Sequence, residues 1–336
     1  MDLSYKKACL YSLYDDIKIS KLKNNSYNLD SYEYTKVVEY FEKNKIWFCL
    51  DWTENYHYRL EKIKSKPYIV YYIWNYGILN SPNLLSIVWP RKMSSYAEKV
   101  LEELFSKLSR FKDIVTVSWL ANWVDKKVHN LSIKYNIPTI SVLWWGFNHF
   151  LNSSDRSLIN DIIANNWLIL SEFKIKQKPT HYTFPQRNRI IAWISDFLFL
   201  PEAWEKSGSL ITVDFANKSN VPVYATPNSI YSVYSSWINE YIWKWKVNLV
   251  YDLNLFVGDS LKLNTWSEKT IKNSFFDSLS KEDQLIVNSI INWNNTLDLL
   301  VIDTGFDDSS LLNKLSMLEI NWYIFQSYPW HWDIVK

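Results

Sequence analysis

Arg187, Asn188 and Arg189 stand shortly before the run Ser207-Gly208-Ser209, which opens onto Ile211-Thr212. Between them lie a short apolar run, Phe197–Leu200, and the acid Glu202. The spacing predicts a cationic turn beside a strand, followed by small residues at a helix start. Exposed backbone N–H groups and the positive end of a helix dipole favour an anion there, so the chemistry offered is the holding of phosphate. Bond-making chemistry has little to work with. No nucleophile with an adjacent base and no paired carboxylates can be assembled from the cluster, so no catalytic residue is assigned. Cys9, Cys49 and the five scattered histidines form neither a disulfide framework nor a metal site. A nicotinamide cofactor would need an acid beyond the first strand-to-helix turn to hold its ribose. Glu98, Glu102 and Glu103 fall on one helix instead, and the second strand ends in Ser118. No cofactor is expected.

The elements that must position these residues can be read from periodicity. Short β-rich runs at Leu84–Val88, Ile114–Ser118, Thr139–Leu143, Leu168–Leu170, Phe197–Leu200 and Val221–Ala225 alternate with amphipathic stretches. One of these, Tyr96–Leu108, places Val100, Leu101, Leu104, Phe105 and Leu108 on one helical face. The pattern predicts an α/β fold, a Rossmann-like three-layer domain with a mostly parallel sheet. Ligands of such sheets bind beyond the carboxyl ends of the strands. Arg91-Lys92, Ser118 with Asp125, Arg187–Arg189 and Ser207–Ser209 with Thr212 converge on that rim. Each also has an ordinary role open to it. Arg91 is equally a solvated loop arginine, Arg189 a salt-bridge partner of Glu202, and Ser209 a helix cap. Lys126 and Lys127 fit a solvated helix face. His129 fits a buried, hydrogen-bonded position better than a catalytic one.

The central stretch, FPQRNRIIAWIS leading to PEAWEKSGSLIT, resembles the DprA/Smf family of DNA-processing proteins. The hallmark of that family is F-x-x-RNRIIxGxS followed by EAxxxSGSLIT. SIVWPRK is similar to the family's IVGxR, and His129 falls where GIDxxAH places a histidine. The segments Tyr56–Leu60 and Pro67–Tyr72 resemble its lead-in to the sheet, with Trp74-Asn75 at a glycine-asparagine place. The resemblance is firm over residues 55–255 and loose over 270–336. It implies a single-stranded DNA-binding protein that protects incoming DNA in natural transformation and loads the RecA recombinase. It also implies a homodimer paired through the Rossmann-like domain. The site would comprise Arg91, Lys92, Ser118, Arg156, His181, Arg187, Asn188, Arg189, Ser207, Gly208, Ser209 and Thr212. The chain departs from the family at Leu151-Asn152-Ser153, where a tyrosine-proline and basic residues are usual and only Arg156 keeps a cation. His181 stands where relatives can carry a lysine. Lys174, Lys176 and Lys178 lie just upstream. An alternative reading is a nucleoside-monophosphate phosphoribohydrolase of the lysine-decarboxylase-like Rossmann group. PEAWEKSGSLIT lacks the paired glycines and trailing glutamate of that group's PGGxGTxxE signature.

The 336 residues suffice for two domains and a smaller piece, and the net charge of +2 requires any basic surface to be local. Residues 1–50 read as a reduced helical N-terminal segment, 51–258 as the Rossmann-like domain and 259–269 as a linker. Residues 270–336 read as a small winged-helix-like domain. Its third helical stretch, Ser309–Glu319, carries one base, Lys314, which favours a protein-contact role over DNA. No apolar run approaches membrane-spanning length and the N-terminal stretch contains acids, so a cytoplasmic protein without membrane attachment is expected. One compositional feature is anomalous: five glycines against nineteen tryptophans. Globular chains contain about 7% glycine. Trp89, Trp119, Trp123, Trp144, Trp204 and Trp237 stand in turn and strand-to-helix contexts where positive φ or a close ligand suits glycine. A UGA codon read as glycine by the source organism and written as tryptophan here accounts for both numbers.

Overall fold

The computed structural model describes residues 3–13, 35–89, 94–120, 126–151, 156–180, 183–203, 208–232, 236–261, 279–291, 295–321, 323–328 and 330–334. The chain divides into two units, Met1–Thr265 and Trp266–Lys336.

In the first unit α1 (Leu3–Leu13) and α2 (Thr35–Asn44) precede β1 (Ile46–Leu50), α3 (Tyr58–Glu61) and β2 (Ile69–Ile73). Alternation then begins with β3 (Asn83–Ile87), α4 (Ser95–Leu108), β4 (Ile114–Trp119), α5 (Lys126–Lys134) and β5 (Thr139–Val142). It continues through α6 (Phe147–Leu151), α7 (Arg156–Ala164), β6 (Leu168–Ser171), α8 (Thr183–Ile194) and β7 (Phe197–Leu200). The unit closes with α9 (Gly208–Lys218), β8 (Val223–Ala225), α10 (Ser236–Trp243), β9 (Asn248–Leu249) and the short α11 (Leu253–Leu255). The described strands form one nine-stranded sheet in the order β1-β2-β6-β5-β4-β3-β7-β8-β9. From β6 to β9 neighbours are parallel, whereas β1–β2 and β2–β6 are antiparallel. This is the Rossmann-like α/β sheet the periodicity predicts, extended by an N-terminal hairpin the alternation did not contain.

Burial explains the strand sequences. All six residues of β4, IVTVSW, are buried, as are all four of β5 and of β6. Strands covered on both faces read as continuous apolar runs rather than alternating ones. In α4 the Ser94 hydroxyl accepts from the Ala97 N–H, and Val100, Leu101, Leu104, Phe105 and Leu108 are buried on the side facing the sheet. The N-terminal helices pack their Ala8, Val37 and Phe41 side chains into the core under β1, β2 and β6, so residues 3–13 and 35–50 belong to the sheet unit. The second unit holds α12 (Lys281–Ile291), α13 (Leu297–Thr304) and α14 (Asp308–Ile320), followed by the hairpin β10 (Ile324–Tyr328) and β11 (His331–Ile334) around its own apolar core.

The central stretch differs from its expected form. Arg187–Arg189 lie inside α8, a twelve-residue helix, and not on a turn. Pro185 suggests a turn in the sequence, but it occupies the first turn of α8, where its missing N–H has no intrahelical acceptor to lose.

Tryptophan at positive φ is the other departure from ordinary chain behaviour. Among the described non-glycine residues with positive φ are Trp74 (68°), Trp245 (56°) and Trp330 (65°). Trp74 is the residue at the expected glycine-asparagine place. Trp89, Trp119, Trp144 and Trp237 do not have positive φ, so a left-handed backbone does not explain those four; Trp123 and Trp204 lie outside the described residues. The end of α10 shows what the geometry demands. Lys246 N–H donates to Tyr241 O and Trp245 N–H to Ile242 O, both at 3.0 Å, the paired bonds of a Schellman cap. The same pairing ends α5, α7 and α9, where the left-handed residue is Asn136, Asn166 or Asn220. Asparagine tolerates that conformation, whereas tryptophan adopts it only at a steric cost. In the core, the Nε1 groups of buried Trp89 and Trp145 have no hydrogen-bond partner among the described residues, whereas a buried indole usually finds an acceptor. Gly146 shows the opposite constraint: a Cβ there would lie 1.9 Å from Lys174 O.

Replacing Trp245, which is 94% exposed, by glycine is expected to stabilise the fold by about 1 kcal/mol, because it relieves backbone strain without removing packing. Gly146→Ala is expected to destabilise it by about 2 kcal/mol through the forced clash. Urea unfolding of the two variants beside the parent checks both signs.

Candidate nucleic-acid interface

The carboxyl ends of β4 and β5 meet the start of α9 through two adjacent side chains of α8. Arg187 is fully buried. Its Nη1 donates to Val142 O, the last carbonyl of β5, at 3.0 Å, and its Nε to Asn188 Oδ1 at 3.2 Å. The guanidinium lies 5.0 Å from the ring centre of Trp119, the last residue of β4. Asn188, also buried, donates from Nδ2 to Gly208 O, the first residue of α9, at 3.3 Å. One helical turn therefore ties two strand ends and a helix start into a single rim. Ser209 and Thr212 are buried at that start, and the Thr212 hydroxyl has no partner among the described residues.

Ser118 is buried, and its hydroxyl donates to Ile87 O of β3 at 2.8 Å, inside the sheet and short of the rim surface. Arg189 does not pair with Glu202. Two residues along a helix from Arg187 it points to the far side of α8, where it forms a salt bridge with Glu172, just past the end of β6. The two arginines therefore cannot bracket one phosphate, as they would on a tight turn. Glu202 is buried and accepts from Ser94 N–H at 2.8 Å and Ser94 Oγ at 2.6 Å, pinning the start of α4 to the end of β7. Arg91, Lys92, Asp125, His181 and Ser207 lie outside the described residues. Arg156 opens α7. Lys127 pairs with Glu98 at 2.7 Å, and Lys176 and Lys178 are exposed.

Glu172 and its surroundings do not stand out in the sequence. The available signal is a carboxylate directly after a buried strand, in Ser171-Glu172. Burial pushes the Glu172 carboxyl up to about 7, against the pull of Arg189. His129 is fully buried, with Nδ1 2.9 Å from Thr139 Oγ1, and burial holds its pKa down at about 4. It is a neutral structural histidine. Among the described residues no cluster of histidine, cysteine or carboxylate could hold a metal, and no helix is long and apolar enough to cross a membrane.

The strand order and the Arg187–Asn188 brace define a Rossmann-like α/β domain with a rim at the carboxyl ends of its parallel strands. The chain belongs to the DprA/Smf family: the family model described as DNA recombination-mediator protein A matches residues 47–254. The chain is similar to DNA processing protein DprA of Bacillus subtilis, 32% identical over 54% of this chain and 61% of that protein. It is also similar to DprA of Streptococcus pneumoniae, 32% identical over 56% of this chain and 65% of that one. Protein Smf of Synechocystis is 31% identical over 63% of this chain and 52% of that protein. The chain thus spans less than two thirds of the length of these relatives. Among solved structures, Helicobacter pylori DNA processing protein A, described for its single-stranded DNA-binding mode, matches at 25% identity with a TM-score of 0.57, over 64% of this chain and 96% of that one. The Streptococcus pneumoniae DprA structure shares the fold, with a TM-score of 0.61 at 24% identity over 75% of this chain and 86% of that one.

Below about 6.5 the unfolded chain takes up a proton that folded His129 refuses until pH 4. The sign is a folded pKa depressed below the unfolded one, so His129's contribution is present above 6.5 and lost as pH falls. That loss is expected to reach roughly 3 kcal/mol by pH 4. Glu172, whose carboxyl burial raises to about 7, gains stability over the same window. The loss is therefore read as the difference between the parent and His129→Gln in urea unfolding at a series of pH values between 7 and 4.

Proposed function

We propose that the chain binds single-stranded DNA along the carboxyl rim of its sheet and acts on it without covalent chemistry. In this reading it guards incoming strands in natural transformation and recombination and passes them to a RecA-type recombinase. The observation that carries the reading is the joining of β4, β5 and the α9 start by Arg187 and Asn188. A helix start braced at the end of a parallel sheet presents N–H groups to phosphate. Arg91, Lys92, Arg156 and His181 would add cationic contacts to phosphate and Ser207 a hydroxyl. Contacts to phosphate and stacked bases make such binding tolerant of sequence. The working form is a homodimer paired through the sheet domain, with residues 51–258 as the DNA-binding body. The unit beyond residue 269 is a winged-helix-like module for protein contact.

The phosphoribohydrolase reading has less support. It needs a carboxylate free to act near the helix start, and Glu202 is held by both donors of Ser94.

Fluorescence anisotropy with labelled oligo-dT is expected to show affinity falling steeply with salt, with a slope of about −0.7 per phosphate neutralised. Arg91→Ala combined with Lys92→Ala should make that slope shallower by about 0.7 for each phosphate no longer neutralised. Binding indifferent to salt, or release of free base from a nucleoside monophosphate, would overturn the assignment.

A further inference from the structure

A cavity of about 450 Å³ opens on the same rim. It lies where β1 and β6 end and β2 begins, since Leu50 pairs with Ile69 and Ser171 with Tyr71. Glu172 and Arg189 line it together with Tyr11, Tyr68, Lys64 and Lys66. Their side chains are only 11% and 13% exposed, and they pair through Glu172 Oε2 and Arg189 Nη2. The other atom of each head group, Glu172 Oε1 and Arg189 Nη1, is buried with no hydrogen-bond partner among the described residues. Buried Arg59, on the neighbouring α3, sets the contrast: its guanidinium reaches Leu79 O, Ile194 O, Asp196 and Ser81 O, each at 2.9 Å. Leaving a buried donor and a buried acceptor unmet is unfavourable for each group. Both belong to residues of the cavity wall but have almost no surface of their own, so they form a donor and an acceptor that a ligand meets only by shifting the side chains over them.

The ligand that answers them carries an acceptor next to a donor on a flat edge. Every unpaired nucleobase has one: N6–H and N1 in adenine, N4–H and N3 in cytosine, N1–H and O6 in guanine, N3–H and O4 in thymine. In a duplex that edge is taken by the opposite base, whereas single strands leave it open to protein. Tyr68, 42% exposed, offers a ring face for stacking, and Lys64 is exposed at the mouth for the flanking phosphate.

We propose that this cavity is a base-reading subsite in which Arg189 Nη1 donates to, and Glu172 Oε1 accepts from, the Watson–Crick edge of one unpaired nucleobase, so that the rim takes single strands and refuses duplex. The assignment rests on the single-strand reading above. It places selection for strandedness two strand positions along the sheet from the Arg187–Asn188 brace, on separate side chains.

The test alters the ligand first, so that folding is not at issue. Oligo-dT is compared with the same oligomer carrying N3-methylthymine throughout, which keeps phosphates and stacking but blocks the donor of the base edge. The expected result is at least about a tenfold loss of affinity for the methylated strand. Glu172→Ala, verified as folded by its melting curve, removes the acceptor and should bring the two strands closer together in affinity. Equal binding of both strands by the parent protein overturns the subsite and leaves the single-strand reading standing. Binding of neither strand overturns both.

Discussion

The architecture of the rim depends on one buried cation. Arg187 sits with no exposed surface at the junction of β4, β5 and α8, and a guanidinium in that position is tolerable only while every surrounding group is held in register. Val142 O, Asn188 Oδ1 and the face of Trp119 supply that surround. Asn188 then carries the constraint outward to the first residue of α9. The position of the helix start, and with it the direction in which its N–H groups face, follows from a hydrogen-bond chain that begins inside the sheet.

On this scaffold the charged residues divide by depth. Arg59 and Glu202 are consumed in holding loops, the first to the chain before β3 and the segment after α8, the second to the start of α4. Glu172 and Arg189 are nearly as deep yet incompletely satisfied. The difference separates side chains that finish the fold from those that leave something for a ligand to complete. Sequence position alone does not separate them, since all four follow or precede strands and short helices in similar contexts.

Much of the sheet is legible in the chain itself. Strands buried on both faces announce themselves as unbroken apolar runs, and α4 as an apolar stripe at helical spacing, because both signals are local. The features that escape such a reading are long-range or context-bound. Strand β1 reads as part of the helical N-terminal segment, since its place in the sheet is decided by β2 farther along the chain. The Arg187–Arg189 segment reads as a cationic turn from its spacing, and only the register of α8 shows that it continues a helix whose first turn accepts Pro185. The RNR motif stands out as the organising stretch, but the opposite destinations of its two arginines come from the helical twist. The tryptophan excess is visible as a number. Its structural expression falls on Trp74, Trp245 and Trp330, of which only the first is marked by its neighbours in sequence.

The strand order also bears on how the chain assembles during synthesis. β2 pairs on one side with β1 and on the other with β6, which ends at Ser171. A nascent polypeptide leaving the ribosome therefore carries an apolar hairpin whose second edge has no seat until residue 171 has emerged. Through that interval the hairpin carries an unpaired strand edge, the kind of surface that invites misassociation before docking.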